Sequence, residues 1–230
     1  VAKDMHNLFI FNSDLRLRDN LALYNAAKNG ESLTVLYIFN QKKWVDHNES
    51  DLKIAFQLKH LKELSKGLNA LNISLKLIEA EGIEDESKRI IEFVETHKIG
   101  EVFVNKDYGF NETQRDLDLD LELTKLNKRL NIYDSSIFNP NSIKTQSNTF
   151  FKVFTPYWRN CDQVIKSNKF KKNNVKICFA KIKINKEINI EELNLTTNNK
   201  KWLKKIEKNW HPGEINAQKK LKLYILDKAN

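Results

Sequence analysis

The chain has 230 residues, 40% hydrophobic and 10% aromatic with only 6 glycines and 3 prolines, a globular composition and not that of a disordered or fibrous polypeptide. At roughly 100 to 200 residues per domain it has room for one large domain, or one domain and part of another, and no apolar stretch approaches the roughly 18 residues of a membrane span. The net charge of +9 is lopsided: residues 1–165 hold 22 Lys and Arg against 24 Asp and Glu, whereas residues 166–230 hold 17 Lys, no Arg and 6 acidic groups.

In chain order, Asn7–Phe11 is a short apolar run suited to a buried strand, and Leu21–Lys28 follows as a short helix closed by Asn29 and Gly30. Leu33–Phe39 is a second, strongly apolar strand. Ser50 or Asp51 can cap a long amphipathic helix in which Leu52, Phe56, Leu61, Leu64 and Leu68 recur at helical spacing. Ile73–Ile78 is a third strand, Ile90, Ile91 and Val94 mark a helix ended by Gly100, and Glu101–Asn105 is a fourth strand. Between Asp116 and Leu123 acidic and leucine residues alternate with the period of a strand. Leu119, Leu123, Leu126 and Leu130 also fit a helix, Asp is disfavoured in strands, and a helix is due there, so helix is predicted. Ile132–Ser136 is a fifth, short strand. The order βαβαβαβ with a fifth strand predicts an α/β, doubly wound, five-stranded parallel sheet.

Beyond residue 136 the regularity fades. Asn139, Pro140 and Asn141 make a turn, and 166–200 is rich in Lys and Asn, which suggests a long connection wrapping a neighbour. Helical spacing returns at Trp202–Ile206 and Ile215–Leu226. The basic tail reads as a solvated surface, with attraction to phosphates as the alternative, because lysine lacks the planar fork of arginine. The start VAKDMHNLFIF has no leader pattern, and Cys161 and Cys178 form neither a disulfide framework nor a C-x-x-C pair, so a cytoplasmic chain with reduced thiols is expected.

No G-x-G-x-x-G follows the first strand, and neither a G-x-x-x-x-G-K-[ST] loop nor a G-x-S-x-G elbow occurs. Ordinary dinucleotide, P-loop and hydrolase readings are therefore weak. The five histidines lack metal-ligand spacing, and His60 and His97 are expected on helix surfaces. In an open parallel sheet ligands sit outside the carboxyl ends of the strands. That directs attention to the segments 12–20, 41–48 and 105–116, whose polar residues are equally compatible with capping and with a ligand: Asp19, Asn20 and Asn111 are all N-cap candidates.

These segments resemble the DNA photolyase and cryptochrome family. Phe11-Asn-Ser-Asp-Leu-Arg-Leu-Arg-Asp-Asn-Leu-Ala-Leu23 is similar to its opening signature. The likeness continues through Leu36–Phe39, through Asn105, Tyr108, Asn111, Glu112, Arg115 and Asp116, through Phe151–Trp158, and through Trp210-His-Pro-Gly-Glu214. Five blocks in order over nearly the whole chain make the resemblance specific.

The resemblance implies an amino-terminal antenna domain over 1–135, an interdomain linker over 136–205, and the first helix of a helical FAD-binding domain over 206–230. The parent would be a deoxyribodipyrimidine photo-lyase, in which light-excited reduced FAD donates an electron to a cyclobutane pyrimidine dimer flipped out of UV-damaged DNA. A monomeric, non-membrane protein is expected. Trp44, His47, Asn111 and Glu112 most resemble the bacterial branch that carries methenyltetrahydrofolate as antenna, which makes His47, Asn111 and Glu112 candidate folate contacts and Trp44 a residue at the pocket border. No catalytic residue is expected within the chain, and the FAD site is expected beyond Asn230, so this piece should be catalytically silent. Asn12 and Ser13 depart from relatives that carry Arg after the first strand. A cryptochrome photosensor, or a stand-alone nucleotide- or pterin-binding α/β module, is the alternative.

Overall fold

The computed structural model describes residues 6–136, 139–167, 190, 193 and 199–228. The expected connection lies partly outside them, as does Cys178; Cys161 is a buried free thiol.

Five strands, β1 (His6–Phe11), β2 (Ser32–Phe39), β3 (Leu75–Glu79), β4 (Glu101–Asn105) and β5 (Arg129–Tyr133), form one parallel sheet in the order β3-β2-β1-β4-β5. The helices α1 (Leu21–Lys28), α2 (Gln41–Asp46), α3 (Asp51–Asn69), α4 (Ile83–Thr96) and α5 (Phe110–Lys125) connect them. Side chains alternate across a strand, so β1 feeds two cores. Phe9 and Phe11 pack with Val35, Leu61, Leu64 and Leu68 on one face, and Leu8 and Ile10 pack with Leu36, Ile90, Leu119 and Leu123 on the other. This is why β1 and β2 read as continuous apolar runs: both their faces are covered. Leu61 has no exposed surface. Leu61→Ala should cost about 2–5 kcal/mol in urea unfolding, and a loss under about 1 kcal/mol would contradict this packing.

The stretch 116–123 is helical, as predicted. Leu119 and Leu123, one turn apart, are buried, while Leu117 and Leu121, which alternate with them, face solvent. Asn20 caps α1 by accepting from the Leu23 N–H at 3.1 Å, whereas Asn111 lies inside α5, whose N-cap position is Gly109. Ser50 holds the N-cap position of α3 without a side-chain cap bond. Helix α4 ends at Thr96, with Lys98 rather than Gly100 in the left-handed conformation (φ 52°), and the Gly100 N–H turns to the His6 carbonyl instead.

Three elements differ from the sequence reading. The fifth strand starts at Arg129, three residues early; it is a half-exposed edge strand, so its ends carry no apolar signal. Gln41–Asp46 is a helix and not a loop, started by the Asn40 side chain accepting from the Lys43 N–H at 2.9 Å. Phe154–Ser167 is also helical (α6), with Cys161 its buried residue. Beyond it come α7 (Lys200–Asn209) and α8 (Glu214–Lys228), and α7 runs across position 205. None of the described helices is long and apolar enough to cross a membrane.

Candidate functional site

Strand β1 is central: the chain proceeds outward to β2 and β3, then crosses back to place β4 on the other side of β1. The loops after β1 and β4 diverge at that switch point and leave a crevice at the carboxyl ends of the strands. A cavity of about 600 Å³ opens there, lined among others by Asn12, Lys43, Trp44, His47, Glu112 and Arg115.

Two polar networks shape it. The first centres on Asn105 at the end of β4. Its amide oxygen accepts from the Ala22 N–H at 3.1 Å and from the Ser135 hydroxyl, and its Nδ2 donates to Asn20 Oδ1 at 2.7 Å and to Asp14. One buried amide thus ties the β1–α1 loop to the start of α1 and to the end of β5. The second centres on buried Arg115 of α5, which donates to Asp116 through Nε (3.0 Å) and Nη2 (2.6 Å), to Asn12 Oδ1 at 3.0 Å and to Glu86 at 3.4 Å. The other Glu86 oxygen accepts from Asn40 at 2.8 Å and lies 3.6 Å from Lys43 Nζ. Burial disfavours the Arg115 cation, but Asp116 and Glu86 outweigh it and hold the guanidinium charged. Burial also pushes the Asp116 carboxyl up, against the pull of Arg115.

Asn12 therefore has a local role. An arginine there would bring a second cation against Arg115, whereas the amide accepts from Arg115 and donates to the Asn105 carbonyl at 3.3 Å.

Three of the four expected site residues, Trp44, His47 and Glu112, line the crevice, and Asn111 joins them through His47. Trp44 is buried on α2, edge-to-face against Phe39 with ring centroids 5.2 Å apart, so it is both packing and wall. His47 caps α2 and its Nε2 is 2.9 Å from Asn111 Nδ2. Glu112, in the first turn of α5, is ion-paired to Lys43 at 2.7 Å. Burial alone would raise the Glu112 carboxyl, but the hydrogen bond and charge of Lys43 outweigh it and hold the group below the usual carboxylate range. The carboxylate folds over Gly109, where a Cβ would overlap Oε2. Tyr37, also in the lining, is hydrogen-bonded by Gln57 at 3.0 Å, and burial pushes its phenol up to about 12.

Sequence reasoning missed Lys43, Asn40 and Glu86. Lys43 and Glu86 look like ordinary helix-surface charges until α2 and α4 are brought together. Only the turn-forming Asn40 just after β2 carried a local signal. His60 also departs from expectation. It is half-buried beside Phe56, and its Nδ1 accepts from the Gly213 N–H at 3.3 Å, while Glu214 accepts from the N–H groups of Leu17 and Arg18 at 2.9 and 3.1 Å. The start of α8 is thereby fastened to the β1–α1 loop and α3.

A doubly wound parallel sheet with a polar crevice at its switch point defines the class: an open-sheet α/β domain. Residues 7–175 match the family model described as DNA photolyase, and the chain belongs to that family. A deoxyribodipyrimidine photo-lyase of Buchnera aphidicola from Acyrthosiphon pisum is 31% identical over 230 residues, covering 97% of this chain and 46% of that protein. A bacterial class III photolyase of Agrobacterium tumefaciens superposes with a TM-score of 0.81 at 21% identity, over 98% of this chain and 45% of that one. A cryptochrome of Synechocystis superposes at 0.61 and 17% identity, over 80% and 42%. At those identities the two structures speak to fold alone. The chain spans about half the length of the relatives it matches.

Proposed function

We propose that this chain is the light-gathering, amino-terminal part of a photolyase that repairs cyclobutane pyrimidine dimers in DNA, and that the Lys43 end of the crevice holds a reduced folate of the methenyltetrahydrofolate type. The supporting observation is the Glu112 carboxylate, kept ionised by Lys43 at the crevice beside the His47–Asn111 pair. The donor set fits a pterin. A carboxylate accepts two parallel N–H groups from an amino-pyrimidinone edge, an amide and an imidazole supply a further donor and acceptor, and the Trp44 indole is apolar wall. About 600 Å³ is within the usual range for such a ligand. When bound, the folate would absorb near-ultraviolet light and pass on the excitation. FAD and the damaged DNA, on this reading, belong to the rest of the relatives' length, as they do in the division into antenna (1–135), linker (136–205) and first FAD-domain helix (206–230).

The test uses a protein of the relatives' full length carrying this chain. With methenyltetrahydrofolate added, Glu112→Gln should weaken near-ultraviolet pigment retention about tenfold or more, the weight of charge-assisted hydrogen bonds. Retention equal to wild type would refute the pocket assignment. Repair of a thymine-dimer oligonucleotide under blue light is the expected activity. Flavin photochemistry without repair would favour the cryptochrome-like photosensor, whose fold the chain shares.

A further inference from the structure

Independently of the pigment, the segment of α7 and α8 carries chemistry that the crevice does not use. Between Lys200 and Lys228 there are nine lysines and three carboxylates. Two of those carboxylates are committed elsewhere: Glu207 pairs with Lys59 of α3, and Glu214 is taken by the backbone N–H groups of Leu17 and Arg18. Helix α7 packs through half-buried Leu203, Ile206 and Glu207, and its other side presents Lys200, Lys201, Lys204, Lys205 and Lys208 to solvent. Lysines at that spacing line one face of a helix.

Two tryptophans accompany this cationic face, Trp202 within α7 and Trp210 at its C-cap. Trp202 is 57% exposed and Trp210 56% exposed, although indole is among the more costly groups to leave in water. Each carries a lysine on its ring: Lys205 Nζ is 5.0 Å from the Trp202 centroid and Lys220 Nζ is 3.6 Å from that of Trp210. Lys220 is also held by the Asn209 carbonyl at 3.1 Å, so its position over the ring is fixed. Ammonium groups beside exposed aromatic planes make the pattern that takes a single-stranded nucleic acid, with cations tracking the phosphates while ring faces stack on bases. A duplex would engage the lysines but hide its base faces from the indoles. An anionic lipid surface would want an apolar stripe beneath the lysines, and on α7 that stripe is turned inward.

We propose that α7 and the turn leading into α8 form a binding surface for single-stranded nucleic acid, with the α7 lysines on phosphates and Trp202 and Trp210 as stacking platforms. It is separate from the crevice and needs neither pigment nor flavin. Binding should be weak and strongly salt-dependent, because lysines contact phosphate as point charges.

The test is fluorescence-anisotropy titration of the 230-residue chain with labelled oligo-dT of about 20 nucleotides, a duplex of equal length, and inorganic polyphosphate, each at several salt concentrations. Oligo-dT should bind tighter than the other two. The triple variant K201Q/K204Q/K208Q should lower the slope of log affinity against log salt by about 2, at roughly 0.7 per phosphate contact. Trp202→Ala, at an exposed position that leaves folding intact by circular dichroism, should weaken oligo-dT binding at least about fivefold and leave polyphosphate binding unchanged. Equal affinity for all three polyanions with no effect of Trp202→Ala, preference for the duplex, or no binding at low salt would each overturn the proposal.

Discussion

Arg115→Met should destabilise the fold more than any other single change at the site, by about 3–5 kcal/mol. The guanidinium is buried and makes four hydrogen bonds to three groups: two nitrogens to Asp116, and one bond each to Glu86 and the amide oxygen of Asn12. Methionine fills much of the volume but leaves Asp116 and Glu86 as carboxylates without their main counter-charge in a low-dielectric interior. Lysine should rescue poorly, because an ammonium cannot make the two-nitrogen contact to Asp116 while reaching Glu86 and Asn12. For a chain of this size the loss corresponds to a fall in melting temperature of roughly 10 °C. The pH dependence has a definite sign. With the cation gone, nothing as strong opposes the burial that already raises the Asp116 carboxyl, so its folded-state pKa climbs further above the unfolded value; the deficit is fully present at neutral pH and shrinks as pH falls through that raised value. Thermal unfolding followed by circular dichroism between pH 5 and pH 8 reads both effects. A loss below about 1 kcal/mol, or one that does not change over that range, would mean the cluster is hydrated and not dry.

The sheet was legible because burial on both faces writes itself into sequence as uninterrupted apolar runs, as in Leu8–Phe11 and Leu33–Phe39. Edge strand β5 has one poorly covered face, and there the expected bounds were three residues late. Helix α2 stayed hidden for a different reason: six residues are too short for a period to show, and the signal that starts it is one side-chain bond from Asn40. At the site, Glu112, His47, Asn111 and Arg115 were reached through resemblance, whereas Lys43 and Glu86, which set the electrostatics together with Arg115, were not. Lys43, Glu86 and Arg115 lie on three helices and meet only after the sheet is wound. Nothing local to Lys43 distinguishes it from Lys42 beside it, which is exposed and pairs with Asp46 across one turn. Function-bearing charge is thus a property of the crossover geometry, and only its anchor points, Asn12, Asn40 and Asn105 at or just beyond strand ends, lie where the topology says to look.

Lys43→Met is expected to act on the pigment through Glu112 and not by touching it. Lys43 Nζ sits 2.7 Å from Glu112 and 3.6 Å from Glu86, so the substitution removes the main cation that depresses the Glu112 carboxyl and leaves burial, which raises it, opposed only by the weaker pull of a backbone N–H and of Arg115. In the wild type, the ionised pair contributes stability and a ready acceptor above the unfolded carboxylate pKa, and both are lost as pH falls through the depressed folded value. In the variant that acid limb should move to higher pH, so methenyltetrahydrofolate retention weakens first under mildly acidic conditions. A mere packing role for Lys43 would weaken retention uniformly and leave the pH profile in place. Combining Lys43→Met with Glu112→Gln should cost little more than Glu112→Gln alone, since the lysine then has no carboxylate at position 112 to act upon. Gly109→Ala gives an independent handle. Its φ of −64° suits alanine, yet the new methyl overlaps Glu112 Oε2 and must displace the carboxylate. It should therefore reduce retention without shifting the pH limb. If Lys43→Met and Gly109→Ala both retain pigment as the wild type does across the pH range, Glu112 is a structural partner of Lys43 and the pterin edge is read by other groups.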